Sequence, residues 1–235
     1  VTQVQVQRLA DQVTRRVAGR IIAAPGDPLP SEQEICTTYG VSKTVAREVI
    51  GRLRDMRIVS VHHGRRMQRR PEGEWDYLDP LLLELQDDAG TRQLLLELQE
   101  IRRLIEPEIA ARAATSRTPE QLEVMRIALD GMRASGADAD GYAEHDVAFH
   151  QGIVDAAQNR VASHIIDSIR ALMRTSRRYT NAVPGTLPRA TGEHEAILAA
   201  IADQDRDRAR AAMIDHLDRN VVAFRSLAPR DSPNA

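Results

Sequence analysis

The sequence predicts a mainly α protein in two parts: an N-terminal winged helix-turn-helix domain with a small β-wing, and a C-terminal all-α antiparallel bundle. Three observations carry this expectation. Residues 30–64, PSEQEICTTYGVSKTVAREVIGRLRDMRIVSVHHG, read as two short capped helices around a tight turn, followed by a strand that ends in a His-Gly turn. The charge is divided along the chain. Residues 1–70 hold 13 basic and 6 acidic side chains, a balance of +7, whereas the remaining 165 hold 19 and 28, a balance of -9. Beyond residue 70, apolar residues recur at helical spacing between clusters of turn-forming residues, and no stretch alternates like a convincing strand. A basic head on an acidic body points to a polyanionic partner for the head alone.

Within the head, Val6, Leu9/Ala10, Val13, Val17 and Ile21 repeat at helical spacing, and Pro25-Gly26-Asp27-Pro28 ends that helix with turn chemistry. Ser31 and Glu34 form an S-x-x-E capping box at the start of the next helix. Tyr39-Gly40-Val41 makes the turn, and Ser42 is placed to cap a second helix running to about Asp55. On that helix Val45, Ala46, Val49, Ile50 and Leu53 fall in one arc of about 140°. Lys43, Thr44, Arg47, Gly51 and Arg54 fall opposite, with Glu48 and Arg52 between. One side packs and the other offers long cations and a hydroxyl from a rigid rod, as a major-groove reading helix requires. The plain alternative is a solvated basic face. Ile58 to His62 alternates like a short strand, and His63-Gly64 can turn it into a hairpin.

Composition narrows the classes. At 235 residues the chain suits one large or two modest domains. Aromatic residues are only 3%, which disfavours recognition of single strands by base stacking. The single Cys36 cannot form an internal disulfide, and no signal peptide or apolar run near 18 residues is evident. A cytoplasmic protein with no membrane partner is expected.

In the body, residues 71–76 read as a linker and 77–228 as the helical domain, with 229–235 a disordered tail. A short apolar helix is expected from about Asp79, then a long one over 91–116 that Pro107 should kink or break. Thr118-Pro119 restarts a helix, another spans about 140–157, and a single helix is expected over roughly 161–179. A final pair, about 190–203 and 205–224, is joined at Asp203-Gln204-Asp205. The expected total is six or seven helices.

HDVAFH places Asp146 and His150 four apart, on one helix face. His194 and His216 flank the last turn at similar distances, so an antiparallel pair brings them level. Three imidazoles and one carboxylate converging inside a bundle suit a divalent metal ion such as Zn²⁺, Ni²⁺ or Mn²⁺. A lone histidine on a helix is more often structural, and His62, His145 and His164 are read that way.

LPSEQEICTTYGVSKTVAREV resembles the DNA-binding signature of the GntR family of bacterial repressors, roughly LPSE-x-x-L-x-x-x-x-GVSR-x-x-VREAL. The resemblance implies double-stranded operator DNA as partner, with contacts at Gln33, Lys43, Thr44, Arg47, His63 and Gly64. Arg47 matches outright. Lys43 stands for the usual arginine, keeping its charge without the planar fork. Gln33 stands where arginine is frequent, and Arg57 takes the place of the family's glycine after the reading helix, a position that often needs a left-handed residue. EIRRLIEPEIAARAA, D-x-x-FH, Asn159, and EH-x-x-I-x-x-AI followed by M-x-x-HL are similar to the FCD effector domain of the FadR subfamily. There the metal ligands correspond to Asp146, His150, His194 and His216. Arg102 corresponds to an arginine that pairs with an acidic effector; its plain alternative is a surface pair with Glu106. A guanidinium buried beside a metal needs a compensating anion, which favours a carboxylate ligand. WDYLDP is similar to sugar-acid regulators of the family.

The leading expectation is a ligand-responsive transcriptional regulator, a repressor, acting as a homodimer on a pseudo-palindromic operator and released by a small organic acid such as a sugar acid. The alternative is a metal-dependent enzyme using the Asp/His₃ site. A third class, a constitutive architectural DNA-binding protein, leaves the inward-facing histidines unexplained.

Overall fold

The computed structural model describes residues 3–62, 66–181, 183 and 185–226. His63 and Gly64, two of the expected DNA contacts, and the expected tail 229–235 lie outside the described residues. The chain forms two compact units, 1–87 and 88–235.

The first unit opens with α1 (Gln3–Ala23), α2 (Glu32–Tyr39) and α3 (Lys43–Asp55). The local signals form as the sequence predicts. Ser31 accepts from the Glu34 amide while the Glu34 carboxylate accepts from the Ser31 amide, and Ser42 accepts from the Val45 amide. Gly40 ends α2 at φ 65, the left-handed conformation that glycine adopts without steric cost. Two short strands, β1 (Val59–Ser60) and β2 (Gln68–Arg69), pair antiparallel with Val59 opposite Arg69 and form the wing. Arg69 donates to the carbonyls of Ile21 and Ala24, tying the second strand to the end of α1. Val13, Val17 and Ile21 of α1 meet Ile35 and the Val45, Ala46, Val49 and Leu53 face of α3 in one core.

The segment read from sequence as a linker and the opening of the bundle belongs to this same core. Trp75 is 7% exposed within it, and its indole donates to the Arg70 carbonyl at 3.1 Å. A 3-10 turn (Glu72–Glu74) and the short helix α4 (Pro80–Glu84), capped by Asp79, follow, and Leu82 is buried beside Trp75. The compact units divide between Asp87 and Asp88.

The second unit is all-helical among its described residues: α5 (Asp88–Ser116), α6 (Pro119–Ser135), α7 (Ala139–Ala156), α8 (Arg160–Ser168), α9 (Arg170–Asn181), α10 (Thr186–Ala202) and α11 (Arg206–Ser226). Two expectations are corrected. α5 runs unbroken through Pro107, which forfeits only the one hydrogen bond its nitrogen cannot donate. The helix expected over 161–179 is two, parted at Ile169, where the Ser168 hydroxyl donates back to the Ile165 carbonyl.

Side-chain pairs fix the helix directions. Arg103 with Asp218, and Arg210 with Glu108, set α5 and α11 antiparallel. Asp140 with Arg178, and Asp146 with Arg177, do the same for α7 and α9. Tyr142 with Thr191, and Asp146 with His194, run α7 alongside α10 in the same sense. Thus α5, α7 and α10 point one way and α9 and α11 the other.

Candidate functional site

Asp146 and His150 lie one turn apart on the buried face of α7, and His194 of α10 and His216 of α11 complete a quartet whose ligand atoms all lie within 4.8 Å of one another. All four residues are buried. Each histidine has its Nδ1 engaged by an acceptor. His150 Nδ1 donates to Glu106 Oε2 (2.8 Å), His194 Nδ1 to the Ala190 carbonyl (2.7 Å) and His216 Nδ1 to Glu193 Oε2 (3.0 Å). Those acceptors put the proton on Nδ1 and leave each Nε2 as a bare lone pair. His194 Nε2 then lies 3.4 Å from His150 Nε2 and 3.0 Å from Asp146 Oδ1, lone pairs facing lone pairs. That arrangement is repulsive unless a cation or a proton sits among them, and the donor set of three imidazoles and a carboxylate fits a divalent metal ion. The Asn220 amide, 3.3 Å from His216 Nε2, relieves only one of the three.

The surroundings hold these protonation states. Burial lowers His150 to about 4 against the pull of Glu106, and burial with the neighbouring imidazoles takes His216 well down from its ordinary value. Both are neutral at pH 7, as metal ligands must be. Burial alone would raise the Asp146 carboxyl, but the Arg177 guanidinium together with the His194 and His150 imidazoles holds that carboxyl well below the usual range. Arg102 and His150 do the same for Glu106.

Arg102 is 1% exposed, so the pair with Glu106 anticipated on the surface is instead buried: Arg102 Nε donates to Glu106 Oε1 at 2.5 Å. Its Nη1 donates to Gln99 Oε1 at 3.1 Å. The anion that this guanidinium needs is supplied by the chain itself, and its burial does not by itself require a bound carboxylate. A second buried guanidinium escaped the sequence reading. Arg177 of α9 donates through Nε to Asp146 Oδ2, while its Nη2 is buried without a hydrogen-bond partner. The role of Glu106 and Glu193 in orienting two of the histidines also escaped it, because each acts on a histidine of another helix. EIRRLIEPE gives the only hint, a carboxylate four residues after Arg102.

In the head, Lys43, Thr44 and Arg47 are exposed along α3 opposite its buried face, and Gln33 is exposed on α2. The Arg47 side chain is 70% exposed, and its Nε donates to Glu32 Oε2 at 3.1 Å. Glu32, absent from the expected contacts, therefore positions the one arginine that matched the motif outright. Arg57 occupies the left-handed conformation at φ 59 just after α3.

A reading helix with an open cationic face, set before a helical domain whose centre could hold a metal ion, defines a sensor-type transcription regulator. Comparison with known proteins gives the family. Residues 6–68 match the bacterial regulatory proteins of the gntR family, and residues 97–219 match the FCD domain. The chain belongs to the GntR family of transcription regulators, in the FadR-type branch that carries an FCD domain. It is 32% identical over 193 residues to the galactonate operon transcriptional repressor of Escherichia coli K12, covering 81% of this chain and 84% of that one. It is 30% identical over 204 residues to the HTH-type transcriptional regulator LutR of Bacillus subtilis 168, covering 82% and 89%. These relatives are transcription regulators, not enzymes. A solved structure of Lar, described as controlling the agr system of Listeria monocytogenes, shares the fold with a TM-score of 0.66 at 16% identity, covering 93% of this chain and 97% of that one. No helix among the described residues is long and apolar enough to cross a membrane.

Proposed function

We propose that this regulator is a cytoplasmic repressor of an operon for breakdown of a carboxylate or sugar acid, released from its operator when an organic acid binds at a metal site in the helical domain. One observation carries the reading: the Nε2 atoms of His150, His194 and His216 converge with the Asp146 carboxylate inside the bundle, all within 4.8 Å of one another. Asp146, His150, His194 and His216 hold the ion, which is Zn²⁺, Ni²⁺ or Mn²⁺ on donor chemistry. A divalent cation there supplies a Lewis acid on which a carboxylate can chelate. Arg102 and Arg177 supply positive charge beside it, with the unpartnered Nη2 of Arg177 free to donate to the acid. Glu106 and Glu193 hold the imidazoles in the ligating tautomer. The repressor role is supported by the 32% identity to the galactonate operon repressor.

The head, 1–70, supplies the operator contacts: Arg47 to a guanine edge or phosphate, Lys43, Thr44 and Gln33 around it, and His63 and Gly64 from the wing. The helical domain, 77–228, supplies dimerisation as well as effector binding. Exposed apolar side chains support a homodimer: Ile101 and Leu104 of α5, the latter 74% exposed, with Val161 and Ile165 of α8. A two-fold pair presents two α3 helices to successive major grooves. Effector and operator affinities are then reciprocally coupled.

The test is fluorescence anisotropy with the chain's own upstream promoter DNA. EDTA-stripped and Zn²⁺-reconstituted protein are titrated with sugar acids and short hydroxy acids. Acid should release DNA from the reconstituted protein and not from the stripped one. Equal release from both, or full metal stoichiometry retained in His150→Ala by elemental analysis, would sink the site assignment.

A further inference from the structure

Two carboxylates stand in the first turn of α2, and only one of them builds its cap. Glu34 accepts from the Ser31 amide at 2.6 Å and so completes the capping box. Glu32 takes no part in that box. Its carboxylate reaches a residue 15 positions along the chain, accepting from Arg47 Nε on α3 at 3.1 Å. The two side chains are 33% and 70% exposed, so the pair stands on the open face of the reading helix. Lys43, one turn earlier on that face, is exposed and makes no ion pair among the described residues. The face therefore carries one bare cation and one cation already beside a carboxylate. An acidic first turn suits the helix dipole wherever its side chain points, and an exposed ion pair adds little stability. Neither accounts for a carboxylate held against the one arginine that matches the motif, on a face that must approach a polyanion.

We infer that Glu32 is a specificity-determining residue of the operator interface, making Arg47 a reader of bases rather than of phosphates. The inference rests on Arg47 facing DNA, as read above, and is independent of the metal site and the effector. Contact through Nε leaves Nη1 and Nη2, whose N–H groups match O6 and N7 of guanine. Those acceptors carry no net charge, so the neighbouring carboxylate opposes them little. A phosphate is an anion. It meets a pair whose charges cancel, and it must come to rest beside a like charge. Lys43 supplies the attraction to the backbone that Arg47 withholds. Binding to arbitrary sequence is weakened while binding at the right guanine is retained, and specificity is that difference. Holding Nε also restricts a long side chain before it meets the base, which lowers the ordering cost of reading.

Glu32→Gln separates charge from geometry, because the amide oxygen still accepts from Arg47 Nε. The full chain is titrated by fluorescence anisotropy with a mixed-sequence duplex at several salt concentrations. Duplexes that each variant selects from a randomised pool are then sequenced. Glu32→Gln should bind the mixed duplex about 3- to 10-fold tighter, with log K falling more steeply against log salt by about 0.9 per head. Lys43→Gln should shift both quantities the other way. At the position whose preference Arg47→Ala erases, Glu32→Gln should reduce the preference for guanine by about fivefold or more. A merely structural Glu32 would weaken binding to every duplex, so tighter binding of the mixed duplex separates the two roles. Unchanged or weaker binding of that duplex by Glu32→Gln, or an undiminished guanine preference, overturns the inference and leaves Arg47 as a reader. If Arg47→Ala erases no position, the reading role of Arg47 falls with it.

Discussion

The two regions of this molecule use the same residue, arginine, in opposite ways. On α3 the Arg47 guanidinium stands in solvent with only Glu32 beside it, an exposed pair worth about 0–1 kcal/mol. In the bundle Arg102 and Arg177 are buried against Glu106 and Asp146. An exposed cation can exchange its carboxylate for a phosphate or a guanine edge at little cost. A buried one cannot let go unless something equally charged takes the partner's place. The head is built to trade partners, and the body to hold them until a ligand intervenes.

The strongest way to break this comparison is Asp146→Ala in EDTA-treated protein, where loss of a metal ligand has no part in the result. Removing one member of a buried pair strands the other, and unfolding in urea should show about 3–5 kcal/mol of lost stability. The matching exposed change, Arg47→Ala, should stay within about 0.5 kcal/mol. A loss below 1 kcal/mol for Asp146→Ala would mean that Arg177 reaches water or another anion in solution.

Acid gives the next largest effect and again separates the regions. His150 titrates at about 4 in the folded chain against an ordinary value of 6.5, and His216 is shifted the same way. Above pH 6.5 neither state binds the proton, and the stability of the bundle is complete. Below it, the unfolded imidazole takes a proton that the folded one refuses, so stability declines until the folded form also protonates near pH 4. Each such histidine should contribute a slope of about 1.4 kcal/mol per pH unit in that window in metal-stripped protein. Urea midpoints that stay level from pH 7 to 5 would contradict neutral buried imidazoles.

For the head, Arg47→Ala should lower operator affinity by roughly 1–3 kcal/mol, about 5- to 150-fold, with metal content and bundle stability unchanged. Anisotropy titrations at several salt concentrations check it. An unchanged affinity would move the recognition role to Lys43 or to the wing.

What could be read from the chain alone follows how local each signal is. Ser31 with Glu34, Ser42 and Gly40 act within three residues of the backbone they cap, so the reading helix is legible at once. Asp146 with His150 is an i,i+4 pair, and the hairpin around Gln204 brings His194 and His216 level, so the quartet is legible too. Arg177 reaches the quartet from α9, Glu193 reaches His216 across from the neighbouring helix, and Glu106, though only four residues from Arg102, could not be seen to be buried. Which core claims an apolar segment is likewise a tertiary matter. Trp75 and Leu82 are as apolar as a bundle residue must be, yet they pack with α1 and α3.

The smallest predicted effect tests a compromise in the head. After α3 the Arg57 amide donates to the Arg54 carbonyl at 2.9 Å and the Ile58 amide to the Leu53 carbonyl at 3.1 Å, the paired bonds of a Schellman ending. That ending places Arg57 at φ 59, a conformation costing a side chain about 1–2 kcal/mol. The Arg57 side chain is exposed. Arg57→Gly removes the strain while adding freedom to the unfolded chain, which offsets part of the gain. The net should be about 0.5–1 kcal/mol of added stability, confined to the head. Trp75 is the only tryptophan of the 235 residues and is buried in the head's core, so its fluorescence follows that unit within the intact chain. A higher unfolding midpoint by Trp75 fluorescence, with operator affinity no lower, is the expected outcome. A lower midpoint would mean that the Arg57 side chain, despite its exposure, supports the turn into the wing.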